Sequence, residues 1–268
     1  MKHFLISISF LIAFLGSVTI VTPQETQSQT EILKVQVGDG VVDGSFIVPY
    51  TNVWQMFQFD ADGERTPTNT WTDKVELIEE DGRKLIKRTQ IVLDDQGETV
   101  QTMLDWVDHK TLAPVKTEKS MTNGGTLQVV FDGLHIQGFM QQSPQGPKMK
   151  IDSTTEIPTY NWGIYGTLLV GFPLELGYEA EFPTGSLAPG ESGADGTPRM
   201  DVTLSWLKLK VIGEESISAG KKGQMDAWIV EVDQGPMNFR FWLSKEAPYI
   251  IKLVMTQPGG GGYIWEMI

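Results

Sequence analysis

The 268-residue chain has no cysteine and only three histidines, and its 21 basic residues are outnumbered by 34 acidic ones. Without cysteine it can form no disulfide, no thiolate metal site and no thiol nucleophile, and no lipid-modified cysteine can follow a leader. His3 falls in the N-terminal apolar segment and His109 in a turn, so only His135 has a strand-like setting. A metal centre needs several convergent ligands, so none is expected, and neither is a cofactor. The HExxH and GxSxG patterns are both missing, although a Ser/His/Asp triad assembles in space and stays open at this level. A net charge of -13 excludes nucleic acid as a partner, since phosphate binding requires clustered Lys and Arg. It also disfavours an anionic membrane surface.

The N-terminus is informative. Lys2 precedes an apolar run from Phe4 to Ile20, and polar VTPQETQSQTE follows, which is the pattern of a secretory signal peptide over about residues 1–24. An uncleaved membrane anchor is the alternative, which would leave the protein tethered to a membrane. Either way the protein is expected to be exported, to a periplasmic or extracellular location. Residues 25–52, with VGDGVVDG in the middle, suggest a tether and a first short strand.

Residues 53–268 are expected to form one β-rich domain, because side-chain polarity there alternates with period two. In GRKLIKRTQIVLDD, Leu85, Ile91 and Leu93 share a face with Lys87 and Thr89, while Arg88 and Gln90 point the other way; in ETVQTMLDW the shared face is Val100, Thr102, Leu104 and Trp106. EEDGRK, LDDQGET and MTNGGT set Asp or Asn near Gly between such runs, as hairpin turns require. Short turns imply antiparallel sequential neighbours. In the second half, MDVTLSW followed by LKLKV shifts the apolar phase without a turn, which suggests a β-bulge near Trp206. About eleven strands are expected on these criteria. Residues 162–172 break the rhythm: Trp162, Tyr165 and Leu169 recur at helical spacing before Gly171 and Pro173, suggesting a short helix or strained loop. Residues 184–198, acidic and rich in Gly and Pro, suggest a surface loop or linker.

No chemistry stands out. Glu79-Glu80-Asp81, Asp94-Asp95 and Glu214-Glu215 could pair as acid and base, but all flank turns or strand ends, where solvated charge is ordinary. DADGE, from Asp60, lacks the spaced ligands of a calcium loop, and GEESISAGKK, from Gly213, lacks phosphate-loop spacing. What remains is aromatic: eight Trp spread along the chain either pack a core or line a cavity.

Leu168, Leu169, Phe172-Pro173-Leu174 and Gly177-Tyr178, followed by VIGEESISAGKKGQMDAWIVEV and FWLSKEAPYIIKLV, resemble a family of secreted bacterial proteins known as a domain of unknown function. Gly213, Glu214, Trp228, Val230, Trp242, Pro248 and Lys252 occupy its pattern, and the resemblance runs over about residues 70–268. That family is similar in architecture to the Lol-type periplasmic lipoprotein carriers, unclosed β-barrels whose concave apolar face holds acyl chains beneath short helices. The resemblance implies a large curved antiparallel sheet, an unclosed or half β-barrel, with residues 162–172 as a helical cover. It does not transfer an activity.

On this reading the protein is not an enzyme and binds a lipid, an acyl chain or another apolar ligand. Cover residues Trp162, Tyr165, Leu169 and Phe172 would face Trp106, Trp228 and Tyr249 on the sheet. The rival readings are a structural or interaction protein with an envelope protein as partner, and a hydrolase whose acidic residues, or a Ser with His135, meet in a cleft.

Overall fold

A computed structural model describes residues 32–193 and 196–268; the expected signal segment lies outside the described residues, as does the side chain of Trp162. The described chain is 61% strand and 4% helix. The first strands are β1 (Leu33–Lys34), β2 (Tyr50–Phe59), β3 (Arg65–Glu80), β4 (Arg83–Leu93) and β5 (Thr99–Asp108). Next come β6 (Pro114–Met121), β7 (Thr126–Asp132), β8 (His135–Gln141), β9 (Lys148–Thr154) and β10 (Tyr160–Asn161). A 3-10 turn at Trp162–Ile164 leads into the short helix α1 (Tyr165–Leu169). The chain ends with β11 (Glu179–Pro189), β12 (Arg199–Ser218), β13 (Gln224–Gln234), β14 (Met237–Ser244), β15 (Ile250–Thr256) and β16 (Gly262–Met267).

The meander expected from the turns is present and longer than expected. Sequential strands from β2 to β9 and from β11 to β16 pair antiparallel, and β16 pairs β2, so all sixteen strands among the described residues join one sheet. The β3–β4 turn places Asp81 and Gly82 at φ of 51° and 73°, the left-handed pair that a two-residue hairpin needs. Asp60 and Asp94 perform the same task in their hairpins: Oδ1 of Asp60 accepts from the amides of Asp62 and Glu64, and Oδ1 of Asp94 from those of Gln96 and Glu98. DADGE is therefore a turn.

The sheet is not an unclosed or half barrel. It closes as a barrel of 13 strands, β2 to β9 and β12 to β16. The seam is a parallel bridge in which Arg199 and Met200 of β12 stand opposite Lys150 and Ile151 of β9. Closure is feasible because β12 is 20 residues long. Its C-terminal part pairs with β13, leaving its N-terminal end to meet β9. A buried cluster of Val129, Ile136, Ile151 and Met200 seals the seam, with Leu187 and Val202 packed against it. Closure satisfies the backbone groups that an open sheet would leave on its edges.

Three further expectations change. The register of β11 with β12 is unbroken through Trp206, so no bulge lies there; the shift in β12 falls between Val211 and Gly213. The change of apolar phase is nonetheless real. Met200 and Val202 pack at the seam, whereas Leu207, Leu209 and Val211 pack in the main core, so the β11–β12 ribbon turns over as it crosses the barrel. The expected loop at 184–198 begins later, because β11 runs to Pro189. The first short strand expected within 25–52 is β1, which pairs β11, but the rest of 32–49 is packed chain and not tether, with Val35, Val42 and Ile47 buried in the core.

The helical cover is where the spacing put it, inside the barrel. Ile164, Leu168, Leu169, Val170 and Phe172 are all buried in the main core. Gly166 belongs to the contact between helix and wall, since a Cβ there would overlap the side chain of Ile250. The glycine that weakens the helix in isolation is what lets it lie close to the sheet.

Candidate functional site

Register fixes which face of each strand looks inward. Across β3, β4, β5 and β6, Asp73, Gln90, Met103 and Lys119 form one cross-strand row, and Val75, Arg88, Asp105 and Thr117 form the next. These rows face the interior. The faces that carry Leu85 with Leu93 and Val100 with Trp106 are therefore mostly outer ones, and Arg88 and Gln90 are buried, each 1% exposed. The outer face carries ion pairs such as Lys74–Glu76 and Lys116–Glu118.

Arg88 anchors the interior. Its Nε and Nη2 donate to the two carboxylate oxygens of Asp73 at 2.7 and 3.2 Å, and its Nη1 donates to the carbonyl of Gly163 at 3.1 Å. Its guanidinium also lies 5.6 Å from the ring centre of Tyr165. One wall residue thus holds the start of the helical segment. Burial raises the Asp73 carboxyl while Arg88 pulls it down; against the same burial, Asp73 and Tyr50 hold Arg88 above its ordinary value. Next to this pair, Asp105 Oδ1 accepts from the Thr117 hydroxyl at 2.7 Å and from Asn161 Nδ2 at 2.8 Å. Burial raises Asp105, and these two donors with Arg88 oppose the shift.

Two cavities flank Gly163, which lines both. The smaller, of about 260 Å³, lies against the seam between Leu127, Val129, Phe131, Ile136, Leu187 and Val202, with Thr117 and Asn161 at its polar side. The larger, of about 540 Å³, is bounded by Met56, Trp71, Val92, Met103, Met121 and Tyr165, with Asn69, Gln90, Gln101 and Lys119 among its polar lining. Met56, Met103, Met121 and Lys119 are half-buried, so this cavity reaches solvent. Burial lowers the Lys119 ammonium. Neither amide atom of Gln90, nor the indole nitrogen of Trp71, has a hydrogen-bond partner, although all three atoms are buried.

Of the residues singled out from sequence, Leu169, Phe172 and Tyr249 are buried together in the main core, with Tyr165 and Trp228 packed against it. Of these five, only Tyr165 also lines the larger cavity. Tyr249 ties down the N-terminal segment: its hydroxyl donates to the carbonyl of Phe46 and accepts from the amide of Val48, both at 3.2 Å. Trp106 lies on the face opposite Asp105, under Lys87 and Lys116, away from both cavities. His135 is outside as well, bonded to Asp152 at 2.9 Å across β8 and β9. Glu214 pairs with Lys245, and Glu215 accepts from the indole of Trp242. Among the described residues no cluster of His, Asp and Glu is arranged to hold a metal ion.

Sequence reasoning missed Trp71, Gln90, Met103 and Lys119. Alternation in IKRTQIV allows either face to be buried, since Ile86 and Val92 bracket Arg88 and Gln90 as well as Leu85 and Leu93 bracket Lys87 and Thr89. The overlooked signal is Trp71-x-Asp73-x-Val75, which puts an acid between two apolar residues, opposite a strand that offers an arginine.

The family model for DUF3108, proteins of unknown function, matches residues 78–261, which is more than half the chain. The chain belongs to DUF3108. No curated protein is significantly similar to it in sequence. Two solved structures align with this DUF3108 member over most of their length. One is a Bacteroides fragilis protein named as exported and of YmcC-like fold, 7% identical, covering 88% of this chain and 96% of its own, at a TM-score of 0.32. The other is a protein named as a lipoprotein from Parabacteroides distasonis, 8% identical, covering 84% and 97%, also at 0.32. At that score the likeness is one of extent, and the closed DUF3108 barrel rests on its own strand register.

Proposed function

We propose that this DUF3108 member is an extracytoplasmic, non-catalytic protein that holds a lipid, an acyl chain or another apolar ligand in the larger barrel cavity. The observation that carries this is the unfilled space of about 540 Å³ among Met56, Trp71, Met103 and Met121. Protein interiors ordinarily pack to the density of organic crystals, and ligand pockets begin at roughly 300 Å³. Thioether side chains are unbranched and polarizable, so a wall rich in Met can adapt to chains of different shape. The apolar N-terminal run after Lys2 supports export.

The buried acids favour binding over hydrolysis. Asp73 is engaged by Arg88, and Asp105 by Thr117 and Asn161, so both carboxylates hold the helical segment in place. An interaction protein of the envelope has no need of such a space, which here opens to solvent beside a packed core. The test is displacement of a neutral apolar fluorophore by 1-hexadecanol. Saturable displacement that Met103→Trp abolishes, with the melting temperature kept, supports the reading; absence of saturable binding, or binding unaffected by Met103→Trp, contradicts it.

A further inference from the structure

The larger cavity is apolar but not uniformly so, and the charge on its polar side is of one sign. Lys119 is the one charged residue lining it, and no Asp or Glu does. Gln90 and Lys119 are inward-facing members of one cross-strand row, separated by Met103 on β5. Adjacent strands lie about 4.8 Å apart, so the two side chains flank a gap of about 10 Å over Met103. Trp71, one inward position along the neighbouring strand β3, also faces this space.

The hydrogen-bond inventory gives the gap a sign. The Gln90 side chain is 1% exposed, and neither its Nε2 donor nor its Oε1 acceptor has a partner; the buried indole nitrogen of Trp71 has no acceptor either. Lys119 has no carboxylate partner among the described residues. Buried donors without acceptors are uncommon in folded proteins, and leaving one unmet costs about 1–3 kcal/mol. Here an amide, an indole and an ammonium line one cavity with methionines beside them. A singly charged anion that accepts hydrogen bonds would satisfy these three donors, and the Lys119 ammonium has further N–H groups to offer the Gln90 oxygen.

Resting on the apolar-ligand reading, we infer that the ligand is a single-chain amphiphile with one carboxylate head, an unesterified long-chain fatty acid. Its head binds between Lys119 and Gln90, with the Trp71 indole as a further donor, and its chain runs along Met56, Met103 and Met121. One lysine matches one carboxylate charge, whereas a phosphate monoester would bring charge that nothing lining the cavity balances. A cationic or zwitterionic head would set a positive group beside Lys119, while the acids at the neighbouring inward positions, Asp73 and Asp105, are already engaged by Arg88 and by Thr117 with Asn161.

The experiment compares palmitate, 1-hexadecanol and hexadecyl phosphate as displacers of the same neutral fluorophore from the full chain and from Lys119→Met. In the unsubstituted protein palmitate should bind about tenfold or more tighter than hexadecanol, and hexadecyl phosphate no tighter than palmitate. Lys119→Met should weaken palmitate about tenfold or more and hexadecanol much less, so that the preference for palmitate is lost. Should Lys119→Met fold poorly, Lys119→Gln carries the same comparison. Equal affinity for palmitate and hexadecanol, or a phosphate preferred to palmitate, overturns the carboxylate assignment and leaves the cavity reading standing. Failure of all three to bind overturns both.

Discussion

Lys116 stands directly across the sheet from Trp106, its Nζ 4.1 Å from the centre of the indole ring. The two are ten residues apart, and the same spacing and pairing relate Trp242 to Lys252, whose Nζ is 5.1 Å from the ring centre. Each ladder shifts register immediately after its Trp. DWVDHKTLAPVK and FWLSKEAPYIIK are thus one hairpin device used twice: a Trp on the outer face, a turn, a Pro near the start of the return strand, and a Lys laid over the indole. A double-mutant cycle with Trp106→Leu and Lys116→Met should give a coupling of about 0.5–1 kcal/mol in urea unfolding. Strict additivity would show the contact to be incidental.

The buried Arg88–Asp73 pair should be costly to break from one side. Asp73→Asn or Arg88→Met leaves the partner charge buried and also slackens the hold on Gly163, so each should lose about 3–5 kcal/mol. Replacing both partners with apolar residues should recover much of that loss. Urea unfolding of the three variants checks this. A double variant no more stable than either single one would argue against a pair whose cost lies in uncompensated charge.

Asp105 should make stability depend on pH in the acid range. Burial raises its carboxyl above the ordinary value, so the native state holds this proton more tightly than the unfolded chain does. Ionisation therefore disfavours the native state. That penalty is absent below the unfolded pKa of about 3.9, grows as pH rises through it, and is complete above the folded pKa. Asp105→Asn keeps an oxygen for Thr117 and Asn161 and carries no charge. It should gain stability relative to the parent at neutral pH, and the gain should shrink as pH falls towards about 3. A difference that stays constant across this range would contradict the assignment.

Much of this was legible in the sequence. Period-two runs, Asp-Gly and Asn-Gly turns and the helical spacing from Trp162 to Leu169 identified an antiparallel meander with a short helical cover, because each depends on residues close together in the chain. Closure was not legible. The bridge of Arg199 and Met200 to Lys150 and Ile151 joins residues some fifty positions apart with no single hairpin turn linking them, and one pair of parallel-bridged residues leaves no periodic trace. The cavity wall was missed for a related reason. A barrel that keeps space inside can carry Arg88, Gln90 and Lys119 on its inner face, which inverts the rule that the more apolar face of a strand is the buried one. Trp106, expected to face the cover, sits outside under lysines, whereas Trp71 lines the space.

The seam should be the place where the barrel opens most easily, because two residues join β9 to β12 where neighbouring ladders run to seven or more. Native-state hydrogen exchange should show the amides of Lys150 and Val202, bonded to Pro198 and to the Ser153 hydroxyl, opening at lower free energy than amides of the β3–β4 ladder. Equal protection at both places would show the seam to be as firm as the rest of the wall.

The most direct test of the account is native mass spectrometry of the protein purified from its own host. The account predicts a population carrying an adduct of lipid mass, released by organic solvent and absent from Met103→Trp, which fills the larger cavity. Bare protein alone in repeated preparations, or an adduct that survives Met103→Trp, would contradict it.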